Sequence, residues 1–259
     1  MSHFKEFSLL HQEKSPLLIG NVWDIQSALM FEKMNFKALG TSSAAIASSL
    51  GYEDGEEVSF DELYAVVKSI ASKVAIPLTV DIEAGYSRKT SKIIENIVLL
   101  SQLGVIGVNL EDSIVEDGNR KLLDSKSFAE TVKSIKQYLL ENNINVFLNI
   151  RTDPYIVGLE SPLNESILRA KFYGEAGADG IFVPCILDKN DIKHLVDSVS
   201  LPVNVMAMAN LPDFSVLEKM GVKRISMGPF VYSKINEKLR DIVGEIQDKQ
   251  SFNGLFTEV

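Results

Sequence analysis

Residues 76–112 read IPLTVDIEAGYSRKTSKIIENIVLLSQLGVIGVNLED. Leu78 to Glu83 is a short apolar run that follows Pro77, placed where a missing N–H costs a sheet least. Lys92 to Leu103 then carries Ile93, Ile94, Ile97 and Leu100 at helical spacing, Gly104 ends that pattern, and Ile106 to Glu111 is a second apolar run. Two short strands joined by a helix form a βαβ unit, which makes the strands parallel. Alternate side chains on a strand face opposite ways. The first strand therefore sets Thr79, Asp81 and Glu83 against Leu78, Val80 and Ile82, and the second sets Asn109 and Glu111 against Val108 and Leu110.

The same unit recurs on both sides. Candidate strands are Leu17 to Gly20, Ala38 to Thr41, Leu78 to Glu83, Ile106 to Glu111, Val146 to Arg151, Gly180 to Val183, Val203 to Met206 and Arg224 to Met227. Helical patterns lie between them, for example Asp61 to Lys73 with Leu63, Val66, Val67 and Ile70 on one face. Pro202 precedes a strand as Pro77 does, and Gly177 and Gly221 end helices as Gly104 does. Eight such units close a ring, so the expected fold is an α/β (β/α)₈ TIM-type barrel, one domain over residues 1–259. An open doubly wound sheet would carry a glycine-rich phosphate turn after its first strand, where this chain has Gly20-Asn21-Val22-Trp23-Asp24.

The chain has 259 residues, 46% hydrophobic and 24% charged, a composition of globular domains rather than disordered or fibrous ones. Its net charge of −9 repels phosphate backbones, which argues against nucleic acid as a partner. The single cysteine, Cys185, permits no intrachain disulfide, and no stretch has the apolar length of a signal peptide core or a membrane span. A cytoplasmic protein with a small-molecule partner is the expectation, with neither nucleic acid nor membrane as partner.

In barrels of this kind the chemistry sits at the C-terminal strand ends. Here those ends are acidic: Asp81 and Glu83, then Glu111 and Asp112, then Arg151 with Asp153. Converging carboxylates repel one another, and a hard divalent cation offsets that charge. Oxygen ligands without histidine or cysteine favour Mg²⁺ or Mn²⁺ over zinc; His3, His11 and His194 fall at the N-terminus or within a helical stretch. The alternative is that these acids form ion pairs with Arg151 and nearby lysines and only solvate a rim.

Four motifs in order, TSSAAIASSLGYEDG (41–55), VDIEAGYS (80–87), GVNLEDS (107–113) and NIRTDPY (149–155), resemble the phosphoenolpyruvate mutase/isocitrate lyase superfamily. The resemblance spans about residues 17–232. It implies that Asp81 is the main Mg²⁺-binding aspartate, with Glu83 and Glu111 helping to hold the ion, largely through its water ligands. It implies further that Arg151 pairs with an anionic group of the substrate, and that Ser42, Ser43 and Ala44 hold the substrate's carboxylate and oxo oxygen. By the same resemblance Asp54 matches an aspartate on the following loop, with a role in proton transfer or loop closure. A 2-oxo acid chelates Mg²⁺ through its carboxylate and keto oxygens, and the metal stabilises the enolate formed when a bond at C3 breaks.

Departures from the family pattern narrow the reading. The lyase branches carry a Lys-Cys-Gly-His-type motif after the fourth strand, where this chain has SIVEDGNRKLLDSKS (113–127), without cysteine or histidine. Cys185 lies too far along the sequence to replace that cysteine. The mutase's Lys-Thr-Asn-Ser-type loop is also missing. The expectation is thus a Mg²⁺-dependent carbon–carbon lyase that acts on a short 2-oxo acid or dicarboxylate such as oxaloacetate by decarboxylation. Its alternatives are a phosphonopyruvate mutase or hydrolase acting on a P–C bond, and a 2-oxo acid binding protein without turnover. Asn204, near the seventh strand, is a further substrate-contact candidate. By resemblance the last helix, near Val231 to Gln247, packs on or exchanges with a neighbouring subunit in a homodimer or homotetramer. The tail from Asp248 to Val259 has no family counterpart, and Phe252, Leu255 and Phe256 are candidates to cover the barrel.

Overall fold

The computed structural model describes residues 2–256. In chain order the first elements are α1 (His3–Leu10), β1 (Leu17–Leu18), β2 (Gly20–Val22), α2 (Ile25–Lys33), β3 (Leu39–Thr41), α3 (Ser43–Leu50), α4 (Phe60–Ala71), β4 (Leu78–Asp81), α5 (Thr90–Gln102) and β5 (Gly107–Glu111). A two-stranded insertion follows, β6 (Ser113–Glu116) and β7 (Asn119–Leu122), then α6 (Ser125–Glu141) and β8 (Phe147–Arg151). The rest is α7 (Pro162–Glu175), β9 (Gly180–Phe182), α8 (Lys189–Ser198), β10 (Val203–Met206), α9 (Phe214–Met220), β11 (Arg224–Ser226) and α10 (Phe230–Lys249).

The main sheet is parallel and runs β1-β11-β10-β9-β8-β5-β4-β3-β2. Its ends, β1 and β2, are one continuous first strand, which starts at Leu17 as expected and runs past the expected end at Gly20 to Val22. At Ile19 that strand changes neighbours: the Ile19 N–H donates to the Ile225 carbonyl (2.9 Å) and the Gly20 N–H to the Ala38 carbonyl (3.2 Å). The eight strands thus form a TIM-type barrel, with the first strand bridging the last and the second. Higher up, the Met227 N–H donates to Asn21 Oδ1 at 2.6 Å across the same seam.

Helices pack on the ring through single faces set by three- and four-residue spacing, such as Leu63, Val67 and Ile70 of α4 and Phe128, Val132, Ile135 and Leu139 of α6. The Ser59 side chain accepts from the Glu62 N–H while Glu62 caps Ser59 in return, fixing where α4 begins. Gly104, Gly177 and Gly221 all have left-handed φ, as their helix-ending role requires.

α1 was not marked by the sequence reading. It covers the lower mouth of the ring, where Phe7 and Leu10 join Leu17, Ile19, Ala38, Ile106 and Phe147 in a separate apolar cluster. His11, at its end, stacks on the Phe147 ring (centroids 4.5 Å apart) with Nδ1 2.9 Å from the Phe7 carbonyl. Burial, then the nearby Arg224 guanidinium, push the His11 imidazole down to about 3. A free histidine protonates near pH 6.5, so below that pH the unfolded chain binds a proton that the folded chain refuses. His11 should therefore cost the fold about 2 kcal/mol by about pH 5, a penalty absent at neutral pH. Urea unfolding of the wild type and His11→Leu should show the gap between them shifting by that amount between about pH 7.5 and 5; parallel pH dependences would reject it.

α10 has no buried residue and exposes Ile235, Leu239 and Val243 along its length. Phe252, Leu255 and Phe256 of the tail are exposed as well and do not cover the barrel; residues 257–259 lie outside the described residues. Among the described residues no helix is long and apolar enough to cross a membrane.

Candidate active site

A cavity of about 250 Å³ opens at the C-terminal strand ends. Of the residues singled out from sequence, Ser42, Ser43, Ala44, Asp54, Asp81 and Arg151 line it, whereas Glu83, Glu111 and Asn204 do not. Asn21, Asn109 and Arg120 add polar lining, and Ile156, Phe182, Pro184, Met206 and Phe230 make an apolar wall.

Asp81 ends β4. Its N–H donates to Thr41 Oγ1 (2.9 Å), its Oδ1 accepts from the Glu83 N–H (3.1 Å), and its Oδ2 accepts weakly from the Ser43 hydroxyl (3.4 Å). Among the described residues no cationic side chain pairs with it. Burial raises its pKa, with Arg151 opposing. Ser43 and Ala44 open α3, whose N-cap Ser42 accepts from the Ala45 N–H at 3.3 Å. First-turn N–H groups have no intrahelical acceptor, so this end of the cavity presents anion-binding donors.

Glu83 departs from the alternation expected of it. β4 stops at Asp81 and the chain turns through a left-handed φ of 47° at Glu83, so its side chain leaves the face that Asp81 occupies. Its Oε2 accepts from the Glu56 N–H (2.6 Å) and its Oε1 from the Tyr86 hydroxyl (3.2 Å). Burial, then the charges of Asp54 and Glu111, push Glu83 up to about 8. It too has no ion-pair partner.

Glu111 has one. It lies opposite Arg151 in register, with Arg151 Nη1 2.8 Å from its Oε2, and Arg120 contacts its other oxygen. Asp153 fills the other edge of Arg151, accepting from Nε at 2.7 Å and from Nη2 at 3.0 Å, and accepts also from the Ser113 hydroxyl at 2.6 Å. Burial alone would lower Arg151, but Glu111 and Asp153 hold it well above the usual arginine value, a permanent cation. Asp112 is fully buried and bonded instead to Thr152, Arg169 and Tyr173, outside the cavity lining.

Asn204 sits among the side chains inside the ring. Asn149 Nδ2 donates to Asn109 Oδ1 (2.9 Å) and to Asn204 Oδ1 (3.1 Å), while Asn204 Nδ2 donates to the Val205 carbonyl (2.7 Å). Gly180 is needed beside them, since a Cβ there would lie 2.8 Å from Asn149 Oδ1. Arg224 reaches the same layer with only Nη2 bonded, to Asn109 Oδ1 at 3.4 Å, and burial lowers it to about 10. Cys185 is half-buried, and burial raises its thiol, which suits a packing role.

Arg120 is the site residue the sequence reading missed. The stretch 113–127 begins as the antiparallel hairpin β6–β7. Asp117 and Gly118 turn it with φ of 50° and 72°, the two left-handed positions of a type I′ turn. The Asp-Gly pair was the available signal, and the two-residue alternation of the strand then turns Arg120 inward between exposed Asn119 and Lys121.

Among the described residues, no three His, Cys, Asp or Glu side chains are grouped so as to hold a metal directly. Asp81 is the one acid of the expected trio on the cavity, so a divalent ion would take it as direct ligand and complete its shell with water, as Mg²⁺ commonly does. Asp81 and Glu83 are both buried without an ion pair, and burial raises both pKa values; a bound divalent ion would favour their charged forms.

A family model described as phosphoenolpyruvate phosphomutase matches residues 7–247. The chain belongs to this family. With it the chain joins the phosphoenolpyruvate mutase/isocitrate lyase superfamily that its four motifs resemble. It is similar to 2-methylisocitrate lyase of Shewanella oneidensis, 31% identical over 77% of this chain and 67% of that protein. It is similar also to oxaloacetate decarboxylase of Pseudomonas savastanoi pv. phaseolicola, 27% identical over 88% of this chain and 79% of that one. Among solved structures, a Burkholderia cenocepacia protein provisionally named a phosphonomutase superposes with a TM-score of 0.89 at 33% identity, covering 94% of this chain and 99% of its own. Lyase, decarboxylase and mutase names thus all occur among the proteins to which this chain is similar.

Proposed function

We propose that this protein is a divalent-metal-dependent enzyme that breaks a bond at C3 of a short 2-oxo acid, most simply by decarboxylating an oxaloacetate-like dicarboxylate. The observation that carries this reading is Asp81: a carboxylate at the cavity floor without a cationic partner, beside the donor-rich first turn of α3. When bound, Mg²⁺ or Mn²⁺ would supply Lewis-acid stabilisation of the negative charge that collects on the keto oxygen.

The chain's own groups do the rest. The N–H groups of Ser43 and Ala44 receive the substrate's C1 carboxylate and keto oxygen. Arg151, held by Glu111 and Asp153, sets a fixed positive charge beside the bound anion, and the apolar wall of Phe182, Met206 and Phe230 excludes water. Cleavage of the C3–C4 bond releases carbon dioxide and leaves its electron pair on C3, conjugated with the carbonyl. A proton then returns to C3, and Asp54, on the cavity and partly exposed, relays it from solvent. This return makes smaller demands on a loop acid than isocitrate cleavage, in keeping with a hairpin that carries no cysteine or histidine. The exposed stripe of Ile235, Leu239 and Val243 on α10 is the face that would meet a second copy.

Pyruvate formation from oxaloacetate should exceed that of protein-free buffer with the same metal by about a hundredfold or more, and chelation should abolish the excess. No metal-dependent turnover of oxaloacetate, other 2-oxo acids or phosphonopyruvate would overturn the enzymatic reading. Tight oxalate binding in that case would mark a binding protein.

A further inference from the structure

The geometry assigns Arg120 as the specificity-determining residue of this site, selecting 2-oxo acids that carry a second anionic group at their far end. The assignment rests on the 2-oxo acid reading and adds to it the substrate's distal charge and the residue that meets it. Arg120 and Arg151 both line the cavity, yet their free donors differ. Arg151 donates hydrogen bonds from two nitrogens, Nε (2.7 Å) and Nη2 (3.0 Å), both to Asp153, and its Nη1 makes an ion contact with Glu111 Oε2 at 2.8 Å. Its planar fork, the feature suited to a ligand's carboxylate, is filled by the protein's own.

Arg120 uses a single nitrogen. Nη1 donates to Glu111, to the Ser113 hydroxyl (2.8 Å) and to Asp153 (3.2 Å), which fixes the plane of the group. Nε and Nη2 donate no hydrogen bond; the nearest acid to Nη2 is Asp54 Oδ2, at 3.8 Å. The guanidinium is held in place with the N–H groups of Nε and Nη2 free, a preorganised receptor for an anion.

Its position specifies which end of the ligand it meets. Asp81 and the first turn of α3 belong to the barrel's strand ends and take the 2-oxo acid head. Arg120 comes from the hairpin above them, on the same cavity. The hairpin is braced against the 52–58 loop, where a Cβ on Gly55 would come within 2.9 Å of Val115. Two arginines face two paired acids here, Glu111 and Asp153, so selection of a second anion depends on directed N–H groups rather than on net charge.

The test is calorimetric titration of the full-length protein, with MgCl₂ present, using three ligands. Oxalate has no distal group, 2-oxobutanoate has an uncharged one, and 3-sulfopyruvate has an anionic one that cannot leave as carbon dioxide. The wild type should prefer 3-sulfopyruvate over 2-oxobutanoate by about tenfold or more, as charge-assisted hydrogen bonds allow. Arg120→Gln should erase that preference and weaken oxalate by less than about threefold; Arg120→Lys, which keeps the charge without the fork, should restore part of it. An unchanged preference in Arg120→Gln, or equal weakening of all three ligands, overturns the assignment and leaves the 2-oxo acid reading standing. A wild type that binds none of the three ends both. Should Arg120→Gln not fold, Arg120→Lys decides: its preference falls about threefold or more, or the assignment is wrong.

Discussion

Asp81→Asn is expected to lower turnover of the 2-oxo acid substrate by about a thousandfold or more, because the residue offered as direct metal ligand would lose its charge while keeping its shape. The fold should not suffer with it. The buried carboxylate has no cationic partner, and asparagine can still accept from the Glu83 N–H through Oδ1 while its Nδ2 donates to the Ser43 hydroxyl oxygen. Removing an uncompensated buried charge is neutral or stabilising, so Tm in metal-free buffer should stay level or rise. The rise in Tm on adding MgCl₂, expected of the wild type through preferential binding to the native state, should disappear. Thermal melts with and without MgCl₂, beside a pyruvate assay, read both effects. A variant with wild-type turnover and an unchanged metal-induced shift would exclude Asp81 as the ligand.

Arg169→Met should do the reverse, with its main cost in stability. Asp112 is fully buried and accepts from the Thr152 hydroxyl (2.6 Å), Arg169 Nη1 (2.9 Å), the Tyr173 hydroxyl (2.6 Å) and the Asp153 N–H (3.2 Å). Burial works against its charge and Arg169 is the main compensating group. Arg169 also donates to the Leu123 carbonyl at 3.0 Å, where the hairpin rejoins the barrel, and to Glu165 at 2.7 Å. Breaking a buried pair from one side typically costs about 3–5 kcal/mol. For a chain of this size that corresponds to a Tm lower by roughly 6–20 °C. Adding Asp112→Asn should recover part of the loss, since the stranded charge goes with it. A single variant melting within about 2 °C of the wild type would show that Asp112 does not need this partner.

Much of the barrel was legible because each βα unit announces itself locally: β-branched runs, a proline at a strand entrance, a glycine at a helix exit. Each of the eight proposed strands contains an observed one to within a few residues. What escaped has physical reasons. The first strand passes from one neighbour to another at Ile19, a choice made by residues some two hundred positions away. The hairpin 113–122 has weak apolar alternation, so its Asp-Gly turn stands without two recognisable strands around it. Glu83 left the expected face because parity holds only while a strand continues, and one left-handed residue ends it. The pairing of acids with arginines was open at the sequence level because both partners were visible and their distances were not. Glu111 and Asp153 turned out to be held by guanidinium groups, and Asp81 and Glu83 not. Arg224, an arginine inside the ring, gave no signal: its neighbours in sequence are those of an ordinary strand.

The way the first strand is shared has a consequence for how the chain is made. Leu17 pairs with Arg224 and Leu18 with Ile225, so the ring cannot shut until nearly the whole polypeptide has left the ribosome. Until then the sheet has two raw edges, surfaces that attract chaperones or other nascent chains. Amino-acid changes along this seam should therefore show up first as lower yield of soluble protein during synthesis, before any defect can be seen in molecules that have already matured.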